Sequence, residues 1–427
     1  MTLEPDGYLP RLIEKEVCTA MKAAGAVSIE GPKSCGKTWC SRKFANSEFS
    51  LVDPADNFIN REIANMDPAA VLKGERPHLI DEWQEVPRIW DAVRYSVDLD
   101  GSKGSYILSG SSSVDMGSLM HSGAMRIISV RMRPMSLFES KDSLGSTSLP
   151  SLFDGSFEMS KGKSCSLEEL AWLIVRGGWP GNLSLKGDQV KLAMGSYMHR
   201  VCGVDAQKID GKRRNVEGLR RTLRSLARNE STMASKSRIA SDIKEFESES
   251  IDDETVSDYM DIFERLYLRD DQPAYNPHRR SSYRVGKSPK RHLADPSLAA
   301  AALEIGTKEL STDLKTMGLL FESLCERDLR IYAQASGGSL HHYRDHSGKE
   351  IDAVVEMPGK GWGAFEIKLG QNSADTAAAN LLKIRDSMES KEPGSGPSVM
   401  CVLTGTGSLA YRREDGVYVV PITSLGP

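Results

Sequence analysis

Gly31-Pro32-Lys33-Ser34-Cys35-Gly36-Lys37-Thr38 follows the apolar run Ala26-Val27-Ser28-Ile29-Glu30 and fits G-x-x-x-x-G-K-[ST] in full. A strand, a glycine-bearing turn and a helix opening at Lys37 are the context in which that motif has a mechanism. The glycines let backbone N–H groups close around phosphate oxygens, and the helix N-terminus adds its dipole. In that geometry Lys37 reaches the β- and γ-phosphates, and Thr38 offers its hydroxyl to Mg²⁺. Residues 31 to 39, with Trp39 at the far end, are the expected nucleotide-binding set.

A second signal lies downstream. His78-Leu79-Ile80-Asp81-Glu82 is an apolar strand ending in two acids. Asp81 is expected to hold Mg²⁺ through its water shell, and Glu82 to polarise the attacking water as general base. Tyr106-Ile107-Leu108-Ser109-Gly110-Ser111 is a further strand with small polar residues at its end. In a parallel sheet that end lies beside the glycine-rich turn. Ser109 or Ser111 then contacts the γ-phosphate or orients the water, unless both belong to an ordinary strand-end turn. With Phe49 to Asp53 as a fourth strand and helical stretches between them, the first 140 residues read as a parallel α/β sheet.

The chain has 427 residues, room for two or three domains. Its 39% hydrophobic and 27% charged residues exclude a largely disordered chain. The longest unbroken apolar run, Leu298 to Leu303, is far too short for a membrane span, and the acidic start Met1 to Asp6 is no signal peptide. Seven scattered cysteines read as free thiols in a reducing, cytoplasmic setting. A net charge of −4 is silent about nucleic acid, so any basic surface must be local.

Composition divides the chain into residues 1–140, a Ser/Gly/Lys/Asp-rich linker or surface excursion over 141–163, a mostly helical segment over 164–292, and a mixed α/β segment over 293–427. Gly177-Gly178-Trp179-Pro180-Gly181 is a tight-turn cluster. Residues 208–228 carry eight Lys/Arg against two acids, whereas 242–271 carry twelve acids against three bases. Residues 275–292 hold no acid but Arg279, Arg280, Arg284, Lys287, Lys290 and Arg291.

Gly7-Tyr8-Leu9-Pro10-Arg11 ahead of the glycine-rich turn, then LIDEWQEVP, ILSGSSS and RPMSLFE, resemble the prokaryotic AAA-type ATPases that carry a C-terminal domain of unknown function. The resemblance covers residues 7 to 140 and implies an AAA+-like fold, ATP and Mg²⁺ as ligands, and Ser111 as a sensor. It also implies an arginine finger supplied by a neighbouring subunit, hence a homo-oligomeric ring or spiral, six subunits by resemblance. Arg126 matches the finger position, with Arg131 and Arg133 as competitors. The glycine usual before that arginine is replaced by Met125. Tyr8 and Arg11 are candidates for the adenine pocket. The middle segment resembles a winged helix-turn-helix, with helices over 223–240 and 253–268 and the basic run 279–291 as wing. That suggests contact with DNA or RNA phosphates, but the second helix is acidic, so packing against protein stands as an equal reading.

Toward the C-terminus, Glu322 lies in a helical stretch, Asp352 in the strand Lys349 to Glu356, and Glu366 and Lys368 in the strand Trp362 to Lys368. Side chains alternate along a strand, so Glu366 and Lys368 share a face that Asp352 can join. Asp352 and Glu366 are candidate oxygen ligands for a second Mg²⁺ or Mn²⁺, and Lys368 a partner for the attacking water or developing charge. The order of elements and these four residues resemble the PD-(D/E)XK nucleases over residues 310–405, which implies a restriction-endonuclease-like domain. Two functions follow: an ATPase coupled to a metal-dependent nuclease acting on nucleic acid, or a nucleotide-switched assembly or DNA-binding protein whose nuclease-like domain is silent.

Overall fold

The chain is described from a computed structural model over residues 2–114, 120–275, 288–345, 348–390 and 392–427. Of the basic run, Arg279, Arg280, Arg284 and Lys287 lie outside the described residues. Two compact units divide the chain. The first comprises Met1–Pro134, Asp205–Arg213 and Ile262–Leu268; the second comprises Met135–Val204, Arg214–Asp261 and Arg269–Pro427.

In the first unit, α1 (Glu14–Ala23), β1 (Ala26–Glu30), α2 (Lys37–Phe44), β2 (Ser47–Ser50), α3 (Ile59–Met66), β3 (His78–Asp81), α4 (Arg88–Asp100), β4 (Tyr106–Gly110) and β5 (Ile127–Arg131) follow in order. The five strands form one parallel sheet in the order β2-β3-β4-β1-β5. The interior strands β3 and β4 are buried throughout and β1 over all but its last residue, which is why their sequences are continuous apolar runs rather than alternating ones. The expected strand at 49–53 begins two residues earlier, at Ser47. The core gathers Leu51, Ile80, Trp83, Ile89, Trp90, Tyr106 and Leu108.

In the second unit, residues 141–163 are not a bare linker. They hold β6 (Thr147–Ser148), α5 (Leu149–Asp154) and β7 (Ser160–Lys161). β6 pairs with β14 (Leu425–Gly426), and β7 with β12 (Leu409–Arg412). Strands of two residues leave almost no hydrophobic period to read, and their partners lie over 240 residues away. Helices α6 (Leu167–Arg176) and α7 (Asp188–Arg200) follow; the short α8 (Ala206–Lys208) belongs to the first unit.

The helix expected over 223–240 is two helices, α9 (Val216–Arg228) and α10 (Lys236–Glu247). α9 ends at Asn229, whose side chain donates back to Ser225 O at 2.9 Å, and Ser235 caps the start of α10 by accepting from Arg238 N at 3.1 Å. α11 (Asp253–Arg265) completes the segment. Isolated antiparallel bridges then join Arg269 to Leu293, Gln272 to Lys290 and Thr232 to Arg291.

The charge segregation read from the sequence is resolved inside this segment. Arg228 binds Asp242 at 2.7 Å and Glu247 at 3.1 Å, Arg224 binds Glu247 at 2.9 Å, and Arg214 binds Asp258 at 2.8 Å. Part of the acidic block is thus counter-charge to the basic block.

α12 (Pro296–Ala302), α13 (Thr307–Thr312) and the long α14 (Leu314–Ala335) lead into a mixed sheet of β8 (Ser339–Arg344), β9 (Glu350–Met357), β10 (Gly361–Lys368), β11 (Val399–Thr404), β12 and β13 (Tyr418–Pro421), with α15 (Ala374–Glu389) between β10 and β11. Strand order is β7-β12-β13-β11-β10-β9-β8; β8, β9 and β10 are antiparallel neighbours, and β10-β11-β13 are parallel. The core on the α15 side gathers Val354, Trp362, Ala378, Leu381, Val402 and Val419.

A buried ion triad ties this unit together. Arg327 on α14 binds Asp295 at 2.8 Å and Asp328 at 2.8 Å, all three buried. Asp295 also accepts from Gly178 N at 3.0 Å and caps α12 through Ser297 N, while Asp328 accepts from Leu137 N at 3.0 Å. A side chain at Gly178 would sit 2.0 Å from Met135 O, which explains the glycine of the tight-turn cluster.

Arg228→Ala leaves Asp242, which is 2% exposed, without its cation. It is expected to cost about 2 kcal/mol. The double variant Arg228→Ala/Asp242→Ala should recover part of that loss in urea melts.

Candidate functional site

The glycine-rich loop joins β1 to α2. Gly36 has φ 104° and Ser34 φ 66°, the left-handed conformations that turn successive N–H groups inward. A Cβ at Gly31 would stand 2.0 Å from Met132 O, so this position accepts no side chain. Lys37 is buried, and its ammonium donates to Pro32 O at 2.9 Å across the mouth of the loop. Cys35 is fully buried behind it, Lys33 pairs with Asp205 at 2.8 Å, and Trp39 is 45% exposed on α2.

The strand order brings the second signal to the first, because only β4 separates β3 from β1. Thr38 Oγ1 donates to Asp81 Oδ1 at 3.0 Å. Burial and the neighbouring Glu82 raise the Asp81 carboxyl above its ordinary pKa, although the Thr38 hydroxyl pulls the other way. A dication would relieve that deficit, so Thr38 and Asp81 fit a Mg²⁺ site.

Glu82 stands in the left-handed region at φ 57°, on the turn that follows β3. Its Oε2 accepts from Ser111 Oγ at 2.9 Å and from the Gln84 amide. Ser111 therefore reaches the acid expected as base, and Ser109 lies level with Asp81 across the β3–β4 ladder.

Two residues of this site were not legible as such. Gln84, which grips Glu82, carries no motif. Arg11, expected near the adenine pocket, instead fastens the loop: its guanidinium donates to Cys35 O at 2.8 Å and to Arg133 O at 2.8 Å. Tyr8 donates to Glu14 at 2.8 Å. The expected finger, Arg126, precedes β5 at the sheet end away from the loop and binds Asp98 at 2.7 Å. Met125 before it has φ 65°, a conformation that glycine adopts without strain.

The C-terminal set also meets. Lys368 Nζ lies 2.7 Å from Glu366 Oε2 and 3.2 Å from Asp352 Oδ2. Glu322 joins through Lys290, whose ammonium lies 2.7 Å from Glu322, 3.1 Å from Glu350 and 3.9 Å from Asp352. Burial first, then Asp352, push the Glu366 carboxyl up to about 7 and raise Glu322 strongly.

The fit to a divalent ion is poor. Asp352 Oδ2 accepts from Ile367 N at 2.8 Å, and Glu366 Oε1 accepts from Asn380 at 3.0 Å. Two ammonium groups already stand among the carboxylates. Among the described residues, no three His, Cys, Asp or Glu side chains are arranged to hold one ion. Behind this cluster His292 contacts Glu326 and lies 3.3 Å from Glu230, all three buried. Burial pushes Glu326 up to about 8 and lowers His292.

Three family models match the chain. Residues 23–141 match an AAA domain, 167–309 the domain of unknown function DUF8612, and 317–425 the domain of unknown function DUF4143. The uncharacterized proteins Rv2008c of Mycobacterium tuberculosis and Mb2031c of Mycobacterium bovis are each 24% identical over 353 residues, 82% of this chain and 71% of theirs. Among solved structures, the Walker-type ATPase PABY2304 of Pyrococcus abyssi aligns over 70% of this chain and 97% of its own, at 12% identity and a TM-score of 0.42. Among the described residues no helix is long and apolar enough to cross a membrane. The AAA match, the parallel sheet and the loop geometry agree on an AAA-type, nucleotide-binding P-loop ATPase domain in the first part of the chain.

Removing Arg11 takes its donor from the buried Cys35 carbonyl and from the part-buried Arg133 carbonyl. Arg11→Ala should weaken nucleotide binding about tenfold in a fluorescent-nucleotide titration, as expected for charged hydrogen bonds of about 1.5–3 kcal/mol. For Glu326 the folded pKa of about 8 lies above the unfolded value, so the native state holds its proton longer than the unfolded chain. Stability from this group is full at acid pH and falls as pH rises toward 8. Glu326→Gln should therefore melt higher than wild type at pH 8, with the gap closing toward pH 5.

Proposed function

We propose that this chain hydrolyses ATP with Mg²⁺ at the loop of residues 31–38. The observation that carries the reading is the meeting of Thr38 with Asp81, with Glu82 beside them in the grip of Ser111. In this reading the loop N–H groups and Lys37 bind the phosphates. Thr38 and Asp81 hold the ion, which supplies charge neutralisation on the phosphate oxygens. Glu82 takes the proton of the attacking water, and Ser111 and Gln84 orient that carboxylate.

The chain acts as a homo-oligomer in the same reading, a ring or spiral of six subunits by resemblance, because a finger must come from a neighbour. Support comes from Arg126, which stands at the sheet end away from its own loop. The middle segment reads as a winged helix, supported by three helices followed by the antiparallel ladder of 269–272 with 290–293. Its ion pairs favour packing within the chain over a groove-reading helix. Contact with DNA or RNA then falls to Arg279, Arg280, Arg284 and Lys287 of the basic run, since Lys290 and Arg291 are buried and ion-paired. The C-terminal domain reads as nuclease-like, supported by the order α14-β8-β9-β10-α15-β11 and by the meeting of Asp352, Glu366 and Lys368. The poor fit to an ion favours a fold kept without cutting.

Lys37→Ala should abolish nucleotide binding. Glu82→Gln should keep it and lower kcat by about 100-fold or more. Wild-type turnover in Glu82→Gln would remove Glu82 as the base. Arg126→Ala should assemble normally in light scattering yet lose turnover, and normal turnover would move the finger to Arg131 or Arg133.

A further inference from the structure

Lys290 is used by none of the chemistry above, yet it is among the largest fully buried side chains of the chain. Its ammonium is enclosed by Glu322, Glu350 and Asp352, at 2.7, 3.1 and 3.9 Å. Burial by itself would lower its pKa, but these acids and Glu326 outweigh burial and raise it, so the side chain is a cation in the folded protein.

This is not a surface lysine that happens to reach inward. Lys290 and Gln272 exchange both backbone hydrogen bonds, at 2.9 and 3.0 Å. The Gln272 amide in turn donates to His341 O at 2.8 Å and Asp352 O at 3.3 Å, fastening the ladder to β8 and β9. On the next residue, Arg291 binds Asp271 at 2.5 Å and Ala234 O at 2.9 Å. The chain therefore builds a seat for one ammonium group at the point where helix and strand carboxylates converge.

A divalent ion at this place would need carboxylate oxygens at about 2.0–2.6 Å. Asp352 directs Oδ1 toward Lys290, and its Oδ2 is taken by Ile367 N and Lys368. Glu366 is taken by Lys368 and Asn380. A dication would also sit against two like-charged ammonium groups.

We propose that the ammonium of Lys290 is the resident cation of the C-terminal carboxylate cluster, and that it keeps this domain free of metal and unable to cut nucleic acid. The comparison with nucleases rests on the fold reading given above; the identity of the cation does not. The sequence could not show this, because Lys290 precedes the nuclease-like region and belongs to a segment read as a wing.

The test counts bound Mn²⁺ by paramagnetic resonance, without nucleotide and on a Lys37→Ala background. The Lys37→Ala chain and its Asp352→Asn/Glu366→Gln derivative should bind the same number of ions. One ion lost in the derivative would overturn the proposal, and this comparison does not depend on any Lys290 variant folding. Adding Lys290→Met should create about one new Mn²⁺ per chain, lost again with Asp352→Asn. A folded Lys290→Met chain, checked by circular dichroism, that gains no ion would also overturn it. ATP turnover by Lys290→Met with an intact Lys37 should stay near wild type. Failure of the Glu82→Gln result would therefore strike the ATPase reading and leave the Mn²⁺ count standing.

Discussion

Arg327 is buried between Asp295 and Asp328, and the second unit is assembled around that triad. A lone guanidinium at this depth would cost several kcal/mol, and removing one partner from such a set typically costs about 3–5 kcal/mol. The two aspartates do more than neutralise it. Asp295 Oδ2, which Arg327 binds, also takes the Gly178 N–H, and the other two oxygens take those of Ser297 and Leu137, so one charge cluster holds the tight turn, the start of α12 and the segment that begins at Met135. Gly177 of that turn follows from the same geometry: a Cβ there would stand 2.4 Å from Asp295 Oδ1.

The rule that a buried charge must be partnered runs through the rest of this unit. It explains why eight bases in one stretch are followed by twelve acids in the next. α9 and α10 pack with Arg228 against Asp242 and Glu247, and the opposite blocks cancel at short range. A net charge of −4 hides all of this, since charges that meet inside the chain leave the sum unchanged. The same rule bears on the His292–Glu326 contact, where burial raises the acid and lowers the base, so that both lean toward their neutral forms.

How much was legible follows from range. The glycine-rich loop, its strand and its helix are contiguous, and Asp81 ends a buried four-residue strand with Glu82 on the turn that follows. β8 to β11 were readable because each is a run of six to eight residues with a clear hydrophobic pattern. Arg11 was visible as a residue but not as a fastener, because its acceptors are main-chain carbonyls 24 and 122 positions away. The break between α9 and α10 carried a local sign, Ser235 before a helical run, which the resemblance to a winged helix-turn-helix passed over. Residues 141–163 looked like a linker because two-residue strands have no period of their own.

Two acid pairs in this chain are partnered in opposite ways. Asp81 and Glu82 receive hydroxyl and amide donors from Thr38, Ser111 and Gln84. Lys37, the nearest loop ammonium, is turned to a carbonyl, that of Pro32. Neutral donors orient carboxylates without cancelling their charge. Asp352 and Glu366 receive ammonium groups instead, Lys368 on one side and Lys290 on the other. Those carboxylates are served by the chain itself. In the reading proposed for the loop, acids oriented by neutral donors are left to take an ion with the substrate, whereas acids paired with fixed ammonium groups need none from solution.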